Sequence, residues 1–289
     1  MELSFIIQVA LGGVLSGGIY ALLALGMSLN LGLLNLMNLS HGSFLILGAV
    51  TTYGLSEGLG ISPLLSMGIV PLLFGGLGGL LCSLLFSPLS KKELSETLVP
   101  SLLITLGLAF ILEEVSASVL SHPLIGLSSG FKPWHWRGIS LSPLVLILLS
   151  VLAFVMILLI FFLFRTDPGR IIRALPQDIE GALCVGVPLS KTKIWAWSLS
   201  LSAAGLAGVF WILLFPVTPY MGIKLTIIAF LMVMVVGNGQ IPWALGAGFF
   251  WGILESLGSA FLGPRWGMMI PLSVFLLLLS CFPKGRIGT

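Results

Sequence analysis

Long apolar runs separated by short polar intervals recur from one end of this chain to the other. They cover approximately 5–29, 33–55, 64–86, 98–120, 141–164, 194–215, 223–240, 243–262 and 266–282. An α-helix of about 20 apolar residues crosses the roughly 30 Å hydrocarbon core of a bilayer. Only helices and closed barrels satisfy their own backbone polar groups in lipid. The pattern therefore predicts an all-α, polytopic membrane protein with about eight to nine apolar segments, some of them discontinuous. Gly and Pro interrupt several runs. The first two are expected to be broken or partly re-entrant, and the 223–262 pair to be hinged at GNGQIP, Gly237 to Pro242. No polar interval is long enough for a soluble domain, so residues 1–289 read as one transmembrane domain.

The longest polar interval runs from Arg165 to Lys193 and holds Arg165, Arg170, Arg173, Lys191 and Lys193. Its middle predicts a capped helix of about ten residues from Pro176 to Val185. Proline suits the first helical position, where its missing N–H costs nothing. Asp178 and Glu180 sit in the first turn, where the helix dipole favours negative charge. Gly186 suits the position past the end, and Pro188 blocks continuation. Ile179, Ala182 and Leu183 share one face at helical spacing. So short a helix is marginal alone and needs a surface to rest on, either a partner protein or its own membrane domain.

Composition agrees: 57% of residues are hydrophobic and 8% charged, against about 25% charged in a soluble domain. Lys91, Lys92, Arg165, Arg170, Arg173, Lys191, Lys193, Lys284 and Arg286 fall on one side of the predicted spans. Lys132, Arg137, Lys224 and Arg265 fall on the other. The richer side is expected to be cytoplasmic, which places the C-terminus inside. Nine spans would put the N-terminus outside, eight inside. Because the basic residues flank spans, the net charge of +3 gives no reason to expect nucleic-acid binding. Cys82, Cys184 and Cys281 have no metal or redox spacing. Glu2 is the only charge before the first apolar run, so that run is expected to stay as a span rather than a cleaved signal. The aromatic residues of the 121–140 interval suit headgroup anchoring, and Gly75, Gly76, Gly78 and Gly79 suit close helix packing.

Candidate chemistry lies in the polar residues within the runs. Asn30 to Ala49 carries Asn35, Asn38, Ser40, His41 and Ser43, with Gly42 and Gly48 nearby. Buried polar groups without partners cost kilocalories each. They must face other helices or a wet cavity, as a pathway lining or as interhelical hydrogen bonds worth about 0.6–2 kcal/mol each. Glu113 and Glu114 point about 100° apart on a helix. Glu255 is the clearest intramembrane carboxylate. No phosphate loop and no His-Glu-x-x-His motif occurs, so neither ATP binding of that kind nor zinc hydrolysis is expected, and no cofactor is implied.

Several stretches together resemble the membrane permeases of bacterial branched-chain amino-acid ABC importers, almost end to end. They are YALLALG (Tyr20–Gly26) with NLSHG (Asn38–Gly42), GRIIRALPQDIEGALCVGV (Gly169–Val187), LSAAGLAGV (Leu201–Val209), and the interval from Gly237 to Leu257. The chain departs from the usual pattern at Pro176, Gly181, Ile228, Val236 and Trp243. The resemblance implies a non-enzymatic, multi-pass subunit of the bacterial inner membrane, in lipid, working with ATP-binding cassette subunits, a second permease and an external substrate-binding protein. It implies that the Pro176–Val185 helix docks on the ATPase. Arg170, Arg173, Gln177, Asp178, Glu180, Ala182 and Gly186 would then serve coupling, and Asn38, Ser40, His41, Gly42 and Glu255 the pathway. The alternative is an ion-coupled secondary transporter of small polar solutes, which needs titratable groups near the midplane; only His41 and Glu255 qualify.

Overall fold

A computed structural model describes residues 2–34, 37–86, 94–120, 124–127, 134–136, 139–184, 186–237 and 239–282. In order the helices are α1 (Glu2–Leu34), α2 (His41–Leu59), α3 (Pro63–Leu81, extended by a π turn over Cys82–Phe86), α4 (Leu94–Val119), α5 (Pro143–Arg165), α6 (Asp167–Ala174), α7 (Ile179–Cys184), α8 (Leu189–Leu214), α9 (Gly222–Val236), α10 (Ile241–Leu262) and α11 (Pro264–Cys281). Among the described residues, eight helices are long and apolar enough to cross a membrane. The remaining long helix, α2, carries His41, Ser43, Thr51, Thr52, Ser56 and Glu57. The all-α, polytopic expectation therefore holds. The helical bundle is joined by one small antiparallel ribbon, β1 (Trp134–Trp136) with β2 (Ile139–Leu141), and a bridge between Ile125 and Val217.

Contact registers set the direction of each helix. α10 runs antiparallel to α1. Near one end Phe5 meets Phe261 edge-on at 6.2 Å, and Ser256 Oγ donates to the Val9 carbonyl at 2.7 Å. A Cβ on Gly248 would strike Ala21, and one on Gly239 would approach Gly32. α5 ends in α6, so the 167–188 connection lies at the same end of the bundle as Gly32 and Gly239. Following the connections, the start of α1 and the end of α11 lie at opposite ends. Arg165, Arg170, Arg173, Lys191 and Lys193 gather at the α6–α7 end, and Lys224 and Arg265 toward the other. Lys91, Lys92, Lys132, Arg137, Lys284 and Arg286 lie outside the described residues.

Small residues hold the bundle together, since lipid tails offer no hydrophobic drive between helices. Gly13 and Gly17 of α1 face Gly252 and Phe249 of α10 so closely that a Cβ on Gly252 would overlap the Gly17 backbone. Gly48 of α2 meets Gly205 of α8, and Gly78 of α3 meets the Trp197 backbone. The glycines of the 75–79 stretch thus pack, except Gly76, which faces open space. Tyr20, Trp211, Trp251 and Phe275 knit α1, α8, α10 and α11, with ring centroids 5.0–6.0 Å apart.

Two expectations need correction. α1 is one unbroken helix, so the discontinuity belongs to the second run alone. The 223–262 pair is two separate antiparallel helices joined by a tight turn at Gly237–Gln240, with Gly237 and Gly239 at φ 106° and 78°.

The topology predicts opposite labelling of two sites. Cys184 is exposed on α7 and Glu57 is exposed near the end of α2. With Cys82 and Cys281 replaced by serine, an impermeant maleimide added to intact cells is expected to label Glu57→Cys. It should leave Cys184 unmodified until the membrane is permeabilised. Labelling of both from one side would contradict the arrangement.

Candidate functional site

The polar cluster marks the point where the membrane segment breaks. α1 stops at Leu34, and α2 begins only at His41. His41 Nε2 lies 3.1 Å from the Leu23 carbonyl, and its ring packs on Gly26. Those contacts lie about 12–16 Å along α1 from its end, at 1.5 Å per residue. Residues 37–40 therefore run non-helically at the depth of the bundle interior. Such backbone persists only where protein supplies its hydrogen bonds.

Three side chains supply them. Asn38 Oδ1 accepts from Ser40 N at 3.0 Å and from Ser40 Oγ at 2.6 Å. This is the local turn that Asn side chains favour. Thr105 on α4 accepts from Leu39 N at 3.1 Å, and its hydroxyl reaches the Met37 carbonyl at 3.1 Å. Thr226 on α9 accepts from Gly42 N at 2.8 Å, while its one proton is shared between the Leu39 and Gly222 carbonyls, both at 3.0 Å. Gly42 is needed because a Cβ there would overlap the Gly222 carbonyl and Thr226. Higher on α4, Glu113 accepts from Ile223 N at 3.4 Å at the start of α9, while Glu114 faces outward. Asn38, Ser40 and His41 are all buried, at 1%, 0% and 0% exposure, so within this single chain the cluster is enclosed between α1, α2, α4, α8 and α9. Asn35 lies outside the described residues.

Glu255 sits elsewhere. It is level with Val9–Gly13 of α1, about 15 Å along that helix from the His41 contacts. It lines a pocket of about 500 Å³ with Lys224 and Arg265.

The α5–α8 connection is two helices, where the sequence suggested one. Thr166 caps α6 by accepting from Gly169 N at 3.2 Å and donating to the Phe162 carbonyl at 2.6 Å. Arg173 turns back on α5. Its Nε donates to the Leu163 carbonyl at 2.9 Å and its guanidinium lies 4.2 Å over the Phe164 ring. α7 has six residues, not ten. Asp178, rather than Pro176, starts it, with Oδ1 accepting from Gly181 N at 2.8 Å as an N-cap does. Its end is as expected. Gly186 has φ 82°, and Val187 N donates to the Ala182 carbonyl at 3.1 Å, closing a Schellman motif. Arg170, Gln177, Asp178 and Ala182 line one open pocket of about 420 Å³ between α6 and α7. Arg170 pairs with Asp167 at 3.1 Å, both exposed. The Glu180 side chain lies outside the described residues. Pro176, freed from the helix, packs against Gly239, which itself abuts Gly32.

Sequence reading missed Thr105 and Thr226, since a lone threonine in an apolar helix carries no signal. It also missed α6, although Thr166-Asp167-Pro168 is a helix-start pattern.

The clamp predicts a measurable stability loss. Thr226→Val keeps the shape but leaves the Gly42 N–H and the Leu39 carbonyl short of a partner. It is expected to destabilise the protein by about 1.5–3 kcal/mol, near the cost of burying unmade hydrogen bonds and above the ~0.6 kcal/mol average for an interhelical bond in membranes. Thr226→Ser should keep most of the stability. Unfolding midpoints of the purified protein in mild detergent check this, and equal midpoints for the valine and serine variants would rule it out.

Comparison with known proteins identifies the family. The family model described as the permease component of the branched-chain amino acid transport system matches residues 9–279. The probable branched-chain amino acid transport permease protein LivH of Methanocaldococcus jannaschii is 29% identical, over 96% of this chain and 91% of that protein. The high-affinity branched-chain amino acid transport system permease protein LivH of Escherichia coli is 24% identical, over 98% and 96%. BraD of Pseudomonas aeruginosa, of the same description, is 23% identical, over 99% and 97%. No solved structure matches the chain. A bundle of membrane-crossing helices built around a clamped break, matched almost end to end by this family, shows that the chain belongs to the family of branched-chain amino acid transport system permease components.

Proposed function

We propose that this chain forms part of the translocation pathway of an ABC importer for branched-chain or related amino acids in the cytoplasmic (inner) membrane. It works with a second permease, either a related chain or another copy. ATP-binding cassette subunits dock beneath the 167–188 connection, and an external binding protein delivers substrate at the opposite end. ATP hydrolysis belongs to the docked subunits, and the C-terminus faces the cytoplasm with them.

One observation carries this reading: α6 and α7 are capped, short and open to solvent on one side, yet anchored to the bundle on the other. Arg170, Gln177, Asp178 and Ala182 face outward around one pocket. Ile172 and Leu175 are buried, and Pro176 presses on Gly239 beside Gly32. A partner that moves α7 therefore moves a proline wedged at the α9–α10 turn and the end of α1. α1 leads from there to Gly26 and the His41 contact. The pathway role of Asn38, Ser40, His41 and Gly42 follows if opening repacks the clamped break. Glu255 belongs to the outer part of the same route.

Gly186 provides the test. A Cβ there would meet nothing within 4 Å, so Gly186→Val acts only through its left-handed backbone, by about 1–2 kcal/mol. The variant is expected to insert at normal levels, to retain roughly 5- to 30-fold less ATPase on gentle co-purification at that energy, and to lose uptake in proportion. Full ATPase recovery with normal uptake would remove the docking role. Uptake by the wild type should stop with vanadate and survive an uncoupler; the reverse would point to ion coupling.

A further inference from the structure

The pocket around Glu255 has features that neither helix packing nor the clamped break requires. Lys224 of α9, Glu255 and Ser259 of α10 and Arg265, Met268 and Leu272 of α11 line it. Glu255 lies seven residues before the end of α10, about 10 Å below it at 1.5 Å per residue. The pocket therefore opens at the end of the bundle opposite α7. Gly258 and Gly267 bring α10 and α11 together at this level, and Tyr20 faces Glu255 from α1.

The charges are opposite but not joined. Among the described residues the one ion pair within 4.0 Å is Arg170 with Asp167, so neither Lys224 nor Arg265 closes on Glu255. A carboxylate inside an apolar helix calls for a partner or a wet cavity. Here the opposed charges are held apart across a space of about 500 Å³, within the 300–1,000 Å³ range of small-molecule sites. Two cations face one anion, and beside them lies a flexible, thioether-bearing apolar wall of the kind that adapts to different aliphatic shapes. One small molecule matches all three features: it carries a carboxylate, an ammonium and a branched hydrocarbon side chain.

We propose that the pocket between α9, α10 and α11 is an outer subsite for a zwitterionic aliphatic amino acid. Lys224 and Arg265 face the carboxylate, Glu255 faces the ammonium, and Met268 and Leu272 receive the side chain. The proposal rests on the transport reading above and names the part of the route that the substrate meets first. A phospholipid with an ethanolamine headgroup offers similar chemistry, so the test separates the two.

The experiment uses the assembled importer in nanodiscs of phosphatidylcholine and phosphatidylglycerol, without the binding protein, and a single reporter cysteine at Ser259→Cys or, as a second reporter, Met268→Cys. Alkylation by a small maleimide is timed with L-leucine, leucinamide or 4-methylpentanoate. Leucine is expected to slow alkylation about tenfold at saturation, and each analogue lacking one charge should need about tenfold higher concentration, as loss of one charge contact implies. Glu255→Gln and Lys224→Gln should abolish the protection by leucine. Equal protection by all three compounds, or none, would overturn the proposal. So would protection that appears only when phosphatidylethanolamine is added and that leucine cannot displace, which would make this a lipid site. Uptake of leucine with the binding protein is measured alongside. Normal uptake in both variants removes the subsite while leaving the transport function standing. Absent uptake in the wild type fails the transport function itself.

Discussion

The structure depends on the hydrogen bonding of a few backbone groups at membrane depth. At residues 37–40 the chain leaves helical geometry with Asn38 and Ser40 buried, and each unpaired buried N–H or carbonyl there costs on the order of 1–3 kcal/mol. Thr105, Thr226 and Asn38 meet that demand. The demand in turn fixes which helices are neighbours. α4 and α9 must both reach the break, and Gly42 and Gly222 must be glycines for α9 to come close enough. α2 then starts about a third of the way back along α1 from its end, so a buried histidine and an N-terminal helix end face the interior of the bundle.

A break of this kind suits a protein that moves a polar solute. A continuous helix offers lipid or a pathway only its side chains, whereas an interrupted one presents backbone dipoles at mid-depth. Two of the three clamp side chains are threonine hydroxyls, each with one proton among two or three carbonyl acceptors, so they can exchange partners with little change in the number of bonds. That property distinguishes it from the glycine-packed α1–α10, α2–α8 and α3–α8 contacts, where backbone meets backbone and little can shift.

Communication along the molecule follows from the same packing. Pro176 meets Gly239 and Gly239 meets Gly32 at one end. At the other, α1 passes His41 and continues to the level of Glu255. The unbroken α1, about 50 Å long at 1.5 Å per residue, touches all three levels. It shares these three levels with α9, which supplies Lys224 to the pocket and Thr226 to the break and ends at the turn that meets Pro176. Burial is nearly complete from Ile19 to Leu25, so neighbouring helices enclose that stretch.

Apolar run length, loop charge and turn chemistry each act through residues close together in the chain. They were enough to show a polytopic helical bundle, an interruption within Gly237–Pro242 and the left-handed Gly186. The polar content of Asn30–Ala49 was legible as an anomaly for the same reason. Its meaning was not, because the partners that make a break affordable in lipid are single threonines 66 and 184 positions away from the groups they satisfy. Local signals also misplaced the start of α7. Proline tolerates a first helical turn, but Asp178 offers a side-chain oxygen to the free N–H of Gly181, and Pro176 is claimed by the distant Gly239. The depths of Glu255 and His41 were not legible on the same ground. Hydropathy marks both as polar residues in membrane, whereas depth and neighbours arise only when helices pack, and the antiparallel register of α10 on α1 sets them about 15 Å apart.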